Sequence, residues 1–277
     1  YFPNISKPRE SGGNGKNLFF KNDFEYLLNE KFTVNLLAQA TNERAEGYKS
    51  GIQNPERWAG SAAALLKFSS KKLFLEAGLK KELVEKTEAP FLYSAGGNFK
   101  IVPSFNIKFK ASKNFRYPAF NDLYWQPGGN PELLPETSYQ AELTPEFSWK
   151  FFKISVTPYY YKIEHMIRWL PASGGIWKPV NTDEVRSYGL EAVLGFNKSF
   201  SKHQILGNIG YAYTKSENAE TGFQLSYVPL HKAFGMLQYR FQPFEIFVQG
   251  MFNGQTFTTT VCYSNSVICH LKTTDAK

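Results

Sequence analysis

The sequence has 277 residues, of which 17% are aromatic, and its net charge of +8 arises from 32 basic residues scattered singly along the chain. Because these residues form no basic tail, helix face or phosphate-binding loop, composition argues against nucleic-acid binding. The mean hydropathy of −0.38 and the lack of any run of 18 apolar residues exclude a transmembrane helix but leave open a membrane β-barrel, whose strands are apolar only at alternate residues.

The chain begins Tyr-Phe-Pro-Asn, without a methionine or a signal peptide, so we expect it to start partway through a longer protein. From about Asn17 to Phe252, apolar and polar residues alternate. Phe105, Ile107 and Phe109, for example, are separated by single polar residues. This period of two is typical of strands with one apolar and one polar face. We predict twelve strands, at residues 17–28, 31–42, 58–68, 72–83, 91–99, 104–114, 138–149, 152–165, 186–197, 203–215, 230–240 and 243–254.

Most of these strands are about twice as long as the usual strand of a soluble protein and match the length that crosses a bilayer. The connections between them alternate strictly between short and long. This alternation predicts an antiparallel outer-membrane barrel with tight turns at one rim and long loops at the other. The predicted long connections are 43–57, 84–90, 115–137, 166–185 and 216–229.

Aromatic residues near the strand ends support the same architecture, because amphipathic rings suit the headgroup level of a bilayer. The alternative is that they fill the core of a soluble all-β binding protein. These residues are Tyr26, Trp58, Phe91, Trp149, Tyr160, Phe200, Tyr213 and Phe241.

The longest connection carries a specific motif, SKNFRYPAFNDLYWQPGGNPELLPETSYQAEL, which spans residues 112–143. It closely resembles a stretch of TonB-dependent outer-membrane receptors, in which Phe-Arg-x-Pro-x-Phe-Asn-(Asp/Glu)-Leu-Tyr leads to Gly-Asn-Pro-x-Leu-x-Pro-Glu. Downstream, VRSYGLEAVLGF resembles the Tyr-Gly-x-Glu strand of that family at Tyr188, Gly189 and Glu191. The resemblance is strong over some 30 residues and loose over most of residues 17–257.

The resemblance implies a barrel of about 22 antiparallel strands closed by an N-terminal plug. It further implies external binding of a scarce ligand, such as a ferric siderophore, haem, cobalamin or a glycan, and import driven by a TonB-type inner-membrane complex. This sequence departs from the family pattern in lacking a plug, the box for the energy-transducing partner and the final aromatic-ended strand. We therefore predict a partial barrel of about 12 strands at residues 1–260, with an atypical or disordered tail at 261–277.

The motif itself has two interpretations. Its prolines restrict their own backbone and Gly128 and Gly129 permit tight turns, so the motif can serve to fold a loop base. Arg116 could pair with Asp122 or Glu136 within that base. The alternative is direct ligand contact. The candidate ligand-binding residues are Arg116, Tyr117, Tyr124, Trp125, Gln126, Asn130 and Trp177.

Other residues indicate no metal site, cofactor or catalytic group. Cys262 and Cys269 lack the spacing of a structural zinc site. His165, His203, His231 and His270 are dispersed, and no nucleophile elbow or zinc-protease helix occurs. Lys108 and Lys110 share a polar face, as do Glu142 and Glu146, and we expect a cross-strand charge ladder inside the barrel.

We therefore predict a receptor of the outer membrane of a Gram-negative bacterium that takes up a scarce iron- or cobalt-containing ligand or a glycan, with bilayer lipid and the TonB-type complex as partners. A passive porin or a structural or adhesive barrel is the alternative. If two stacked sheets buried Phe105, Leu143 and Leu194 against one another, the prediction of a membrane wall would be wrong.

Overall fold

The computed structural model describes residues 12–48, 51–85, 87–262 and 269–274. Twelve strands form one antiparallel sheet. Their bounds are β1 Gly12–Leu27, β2 Phe32–Tyr48, β3 Glu56–Ser69, β4 Leu73–Val84, β5 Phe91–Val102, β6 Phe105–Arg116, β7 Glu136–Trp149, β8 Phe152–Pro171, β9 Trp177–Phe200, β10 His203–Asn218, β11 His231–Phe241 and β12 Phe244–Asn253.

Each strand pairs with the next one in sequence, from β1 through β12. Within the described residues, β1 and β12 therefore form the two ends of an open, up-and-down sheet. Turns of two to four residues join the strands at one rim, and the longer connections, such as 117–135 between β6 and β7, lie at the other. We call the second rim the external rim, following the orientation of outer-membrane barrels.

The two faces of the sheet differ as the alternation predicts. Leu143 of β7 lies directly opposite Phe109 of β6, and Leu194 of β9 opposite Ile154 of β8. On this outward face Leu143 and Leu194 remain 46% and 42% exposed, so no second sheet covers them. The predicted architecture, a partial antiparallel transmembrane barrel wall, is confirmed. No helix among the described residues has the length and apolarity to cross a membrane.

Polar side chains on the inward face form the expected charge ladder. Lys108 and Lys153 each place their ammonium group 3.0 Å from the Glu146 carboxylate, and Lys110 lies opposite Glu142 in the register. Such cross-strand pairs contribute roughly 0.2–1 kcal/mol each. The inward face is therefore stabilised by ion pairs and hydrogen bonds, whereas the outward face carries exposed apolar side chains.

The prediction of a long connection at residues 166–185 is wrong, because most of these residues extend the hairpin formed by β8 and β9. β8 and β9 pair as far as Pro171 opposite Trp177, and a short 3₁₀ turn at Ser173–Gly175 closes them. The apolar stretch of Met166, Ile167 and Trp169 supports strand structure here. Alternation fails in this part of the hairpin because it extends beyond the bilayer, where neither face needs to meet lipid.

The last strands lie outside the large sheet. Thr256–Cys262 (β13) and Cys269–Thr274 (β14) pair with each other in a separate antiparallel hairpin. Part of the predicted tail, residues 263–268 and 275–277, lies outside the described residues. The division of the chain at residue 260 stays a prediction.

Candidate functional site

The external rim is dominated by the connection between β6 and β7, residues 117–135, which we call the long loop. Arg116 and Glu136 close its base through a bidentate ion pair, with distances of 2.6 Å from Nε and 2.8 Å from Nη2 to the carboxylate oxygens. Hydrogen bonding to Glu136 raises the pKa of Arg116. Of the two partners that the sequence left open for Arg116, the structure selects Glu136.

A short helix, α1 (Phe120–Tyr124), begins the long loop and is fixed by Asp122. One carboxylate oxygen of Asp122 accepts from the backbone N–H of Ala119 at 3.0 Å, and the other accepts from Trp169 Nε1 at 2.9 Å. Asp122 is only 7% exposed, so both interactions are shielded from water. Trp125 then packs edge-to-face on Trp169 with ring centroids 5.5 Å apart. These contacts fasten the long loop to β8.

Asn130 organises the second half of the long loop. Its backbone N–H donates to Asp122 O at 2.8 Å, and its side-chain oxygen accepts from the Glu132 N–H at 3.0 Å. Gly129 is needed just before it, because a Cβ atom there would lie 2.6 Å from Trp125 N and 2.8 Å from Leu123 O. The Gly-Asn pair of the motif therefore serves the fold of the loop.

The end of the long loop is tied to β9 by Asn181. Its side-chain oxygen accepts from Leu134 N–H at 2.8 Å, and its amide group donates to Leu134 O at 2.9 Å and to His165 O at 2.7 Å. One asparagine thus reproduces a backbone-like pairing between the loop and the β8–β9 hairpin.

Arg57 of β3 holds the opposite side of the long loop. Its guanidinium donates to Pro118 O at 2.8 Å and to Glu43 at 2.7 Å, and it lies 4.8 Å from the ring centroid of Phe120. Tyr117 packs beside it, and burial raises the pKa of the Tyr117 hydroxyl. The long loop is thus anchored from both β3 and the β8–β9 hairpin. Sequence reasoning missed Arg57, Trp169 and Asn181.

The predicted ligand residues fall into two groups. Arg116 and Asn130 are engaged at the base and in the second half of the long loop, whereas Tyr117 and Trp125 contact Arg57 of β3 and Trp169 of β8. Tyr124 and Trp177 are 37% and 43% exposed, and Gln126 is also exposed. The backbone carbonyl of Trp177 approaches Gly128, which brings the 3₁₀ hairpin against the long loop. The free surface of this assembly combines aromatic rings, amide groups and loop backbone, a composition suited to a bulky ligand with both apolar and polar parts.

A family model described as "TonB dependent receptor-like, beta-barrel" matches residues 8–268. The chain belongs to this family. Its members are receptors and transporters of the outer membrane of Gram-negative bacteria, not enzymes, and they work with TonB.

Curated relatives named vitamin B12 transporter BtuB match parts of the chain. The protein of Vibrio vulnificus (strain YJ016) is 39% identical over 108 residues, which are 38% of this chain and 18% of that protein. The protein of Photobacterium profundum is 27% identical over 175 residues, 60% of this chain and 28% of that protein. The chain thus spans less than a third of the length of these relatives.

Solved structures show the same fold at low sequence identity. The siderophore receptor PirA from Acinetobacter baumannii superimposes with a TM-score of 0.72 at 15% identity, over 92% of this chain and 44% of that one. The ferric enterobactin receptor PfeA from Pseudomonas aeruginosa gives 0.71 at 17% identity, over 93% and 43%. The copper transporter OprC gives 0.71 at 14% identity, over 88% and 44%.

Proposed function

We propose that this chain forms the ligand-binding half of a barrel that takes up a scarce, bulky ligand across the outer membrane of a Gram-negative bacterium. The main observation in support is that the long loop is anchored to β3 and to the β8–β9 hairpin. These anchors hold Tyr124 and Gln126 at the external rim, beside Trp177 of β9. A loop fixed before binding loses less conformational entropy when a dilute ligand arrives.

A corrinoid of the vitamin B12 type is our first candidate ligand, because curated relatives up to 39% identical are named for vitamin B12. A ferric siderophore is the second candidate, supported by the fold shared with the PirA and PfeA receptors. Both ligands are large and partly apolar, so both could stack on exposed aromatic rings. In the proposed cycle, binding at the external rim is followed by movement of a plug region driven by a TonB-type complex.

Equilibrium binding to the full-length protein tests this proposal. Cyanocobalamin, ferric enterobactin and haem would each be titrated against the wild type and against Trp177→Ala and Tyr124→Ala. We expect saturable binding of one ligand, weakened roughly 5- to 30-fold by removal of one stacking ring, since aromatic contacts at a binding site contribute about 1–2 kcal/mol.

The matched control is Tyr227→Ala, an exposed tyrosine in the connection between β10 and β11. This variant should retain full affinity. Steady ion conductance in planar bilayers, together with no saturable binding, would instead assign the protein to passive pores and would reject the proposal.

A further inference from the structure

Three lysines lie together at the rim of short turns, which we call the periplasmic rim because it is opposite the external rim. Lys150 belongs to the turn between β7 and β8, Lys198 to the end of β9, and Lys202 to the turn between β9 and β10. All three are exposed. The backbone N–H of Asn197 donates to Phe151 O at 2.9 Å, which fastens the end of β9 to the first of these turns. We call these residues the rim lysines.

The carboxylates of β7 and β12 that lie towards this rim are neutralised by other cations. Glu146 is 3.0 Å from both Lys108 and Lys153, and Glu245 is 2.9 Å from Arg240. In the part of the chain that the structure describes, none of the rim lysines has a carboxylate within ion-pair distance. Their three positive charges are therefore available to a group from outside the chain.

Two of the rim lysines lie over aromatic rings. The ammonium group of Lys150 is 4.8 Å from the ring centroid of Trp149, and that of Lys198 is 4.9 Å from the centroid of Phe151. Trp149 belongs to the outward face and is 54% exposed. Indole and phenyl rings beside cations suit the headgroup level of a bilayer, so the two lysines lie where lipid phosphates are found.

An apolar groove of about 460 Å³ begins at these rings and lies on the outward face of β8 to β12. Phe152 and Phe196 line its end nearest the rim. Both contact Phe151, with ring centroids 4.5 and 5.2 Å apart. Because Lys198 lies over the same Phe151 ring, the cations and the groove form one continuous surface.

Glycines give the groove its depth. Gly235 faces Gly250 across β11 and β12, and a Cβ atom at either position would meet nothing within 4 Å. Ile209 and Leu237 project beside them and are 66% and 54% exposed. Gly235 lies six residues before Phe241, the end of β11. For a rise of about 3.3 Å per residue and a tilt of about 45°, it lies roughly 14 Å from the rim, within the acyl chains of one leaflet.

We propose that this surface binds an anionic phospholipid of the periplasmic leaflet, with its phosphate at Lys150 and Lys198 and one acyl chain in the groove. The unpaired cations select a net negative charge, and the groove lies at the depth of the acyl chains. The Phe151 cluster joins the two parts. A soluble acidic partner could meet the lysines but not the groove, which lies within the hydrocarbon. This site is separate from the uptake site at the external rim and does not depend on the identity of the uptake ligand.

Lipid affinity of the full-length protein tests the proposal. Protein in detergent would be titrated with phosphatidylglycerol or with phosphatidylethanolamine of equal chain length, and the first bound lipid quantified by native mass spectrometry. Phosphatidylglycerol should bind the wild type more tightly. Lys150→Gln/Lys198→Gln should weaken its binding about 25-fold, because a lysine near an anionic lipid surface contributes roughly a factor of five. Affinity for phosphatidylethanolamine should change little.

The matched control, Lys71→Gln/Lys72→Gln, removes two charges from the turn between β3 and β4 at the same rim, away from the groove. It should leave the affinity of the first phosphatidylglycerol unchanged. Lys150→Arg/Lys198→Arg keeps both charges and should bind like the wild type. Equal affinity of the wild type and Lys150→Gln/Lys198→Gln for phosphatidylglycerol, with both folded by circular dichroism, would overturn the proposal.

A second variant tests the groove without changing any charge. Gly250→Leu fills open space and should weaken phosphatidylglycerol at least about fourfold, the factor expected for each methylene excluded from apolar contact. Gly15→Leu, at another position where a Cβ meets nothing within 4 Å, should bind like the wild type. Competition by glycerophosphoglycerol, the headgroup without acyl chains, at the affinity of the lipid would show a simple anion site and reject the proposal. Tighter binding of soluble polyglutamate than of lipid would assign the rim to an acidic protein and would also reject it.

Discussion

The membrane wall and the long loop are stabilised in opposite ways. The wall from β6 to β9 rests on a repeated pattern, in which an outward residue such as Phe147 lies opposite an apolar residue on each side, Phe105 of β6 and Ile154 of β8. The long loop rests on single contacts, of which Asp122–Trp169 and Arg57–Pro118 are the main ones. A wall built by repetition should tolerate the loss of any one contact, whereas the loop should lose order when one anchor is removed.

The largest loss of stability is expected when one apolar residue on the outward face is replaced by a charged residue. Leu143→Arg places a charge in the hydrocarbon and should lower the free energy of unfolding by about 2–4 kcal/mol. Thr144→Arg is the matched control on the inward face, where it removes the 2.9 Å hydrogen bond to Thr157 and places a cation opposite Lys108, at a cost of about 0.2–1 kcal/mol. Urea unfolding in lipid vesicles measures both. Equal destabilisation by the two arginines would contradict the assignment of the faces.

On the loop side, the strongest single anchor is Asp122. Asp122→Ala leaves the Trp169 Nε1–H and the Ala119 N–H without their partner, and a buried donor left unsatisfied costs about 1–3 kcal/mol. The effect should be local. Hydrogen exchange should speed up in residues 117–135 and stay unchanged in β6 and β7.

Asn121→Ala, at an exposed position of the same helix, controls for a general effect of substitution in α1. Faster exchange throughout the wall in Asp122→Ala would show that the loop and the barrel form one cooperative unit, and the two regions would then not be stabilised separately.

These two regions also differ in how far the sequence predicts them. Alternation around Phe109, Leu143 and Leu194 predicted the strands and their faces, because a strand buries or exposes every second residue. No such period links Arg57 to Pro118, 61 residues away, or Asp122 to Trp169, 47 residues away. Such anchors depend on which strands become neighbours at the rim and how far their side chains reach.

The β8–β9 hairpin shows the same limit. Its outer part, which includes Trp169 and Asn181, was predicted as loop because alternation is lost there. Beyond the bilayer a strand can be polar or apolar on either face, so its sequence no longer carries the barrel pattern. The sequence predicted that the candidate ligand residues lie in the connections at the external rim. Whether Tyr124, Gln126 and Trp177 contact a ligand stays a prediction.

A smaller effect should follow from loosening the loop on its other side. Arg57→Lys keeps the charge but loses the planar group that bonds Glu43 and Pro118 O while stacking on Phe120. We expect a loss of about 1–2 kcal/mol in local stability. Hydrogen exchange in residues 117–120 measures it.

Arg44→Lys is the control for this substitution, because Arg44 pairs with Glu56 at an exposed position on the outward side of the neighbouring strand. It should change nothing in the long loop. If both lysine variants behaved like the wild type, stacking and geometry at Arg57 would contribute no more than a point charge.

The smallest effect should come from the ion pair at the base of the loop. Arg116 is half exposed, so Arg116→Ala should cost only about 0.2–1 kcal/mol. Glu136→Ala should cost more, because Glu136 Oε1 also accepts from the backbone N–H of Ile167 at 2.6 Å, and that donor is only partly accessible to water.

Comparing stability with ligand affinity in these two variants separates the interpretations of Arg116. If Arg116 only closes the loop, Glu136→Ala should weaken ligand binding at least as much as Arg116→Ala, because it disturbs the same base more severely. If Arg116 contacts the ligand, Arg116→Ala should weaken binding more while destabilising the protein less. Titration calorimetry and thermal unfolding on the same preparations distinguish the two, because only direct contact reverses the order of the variants.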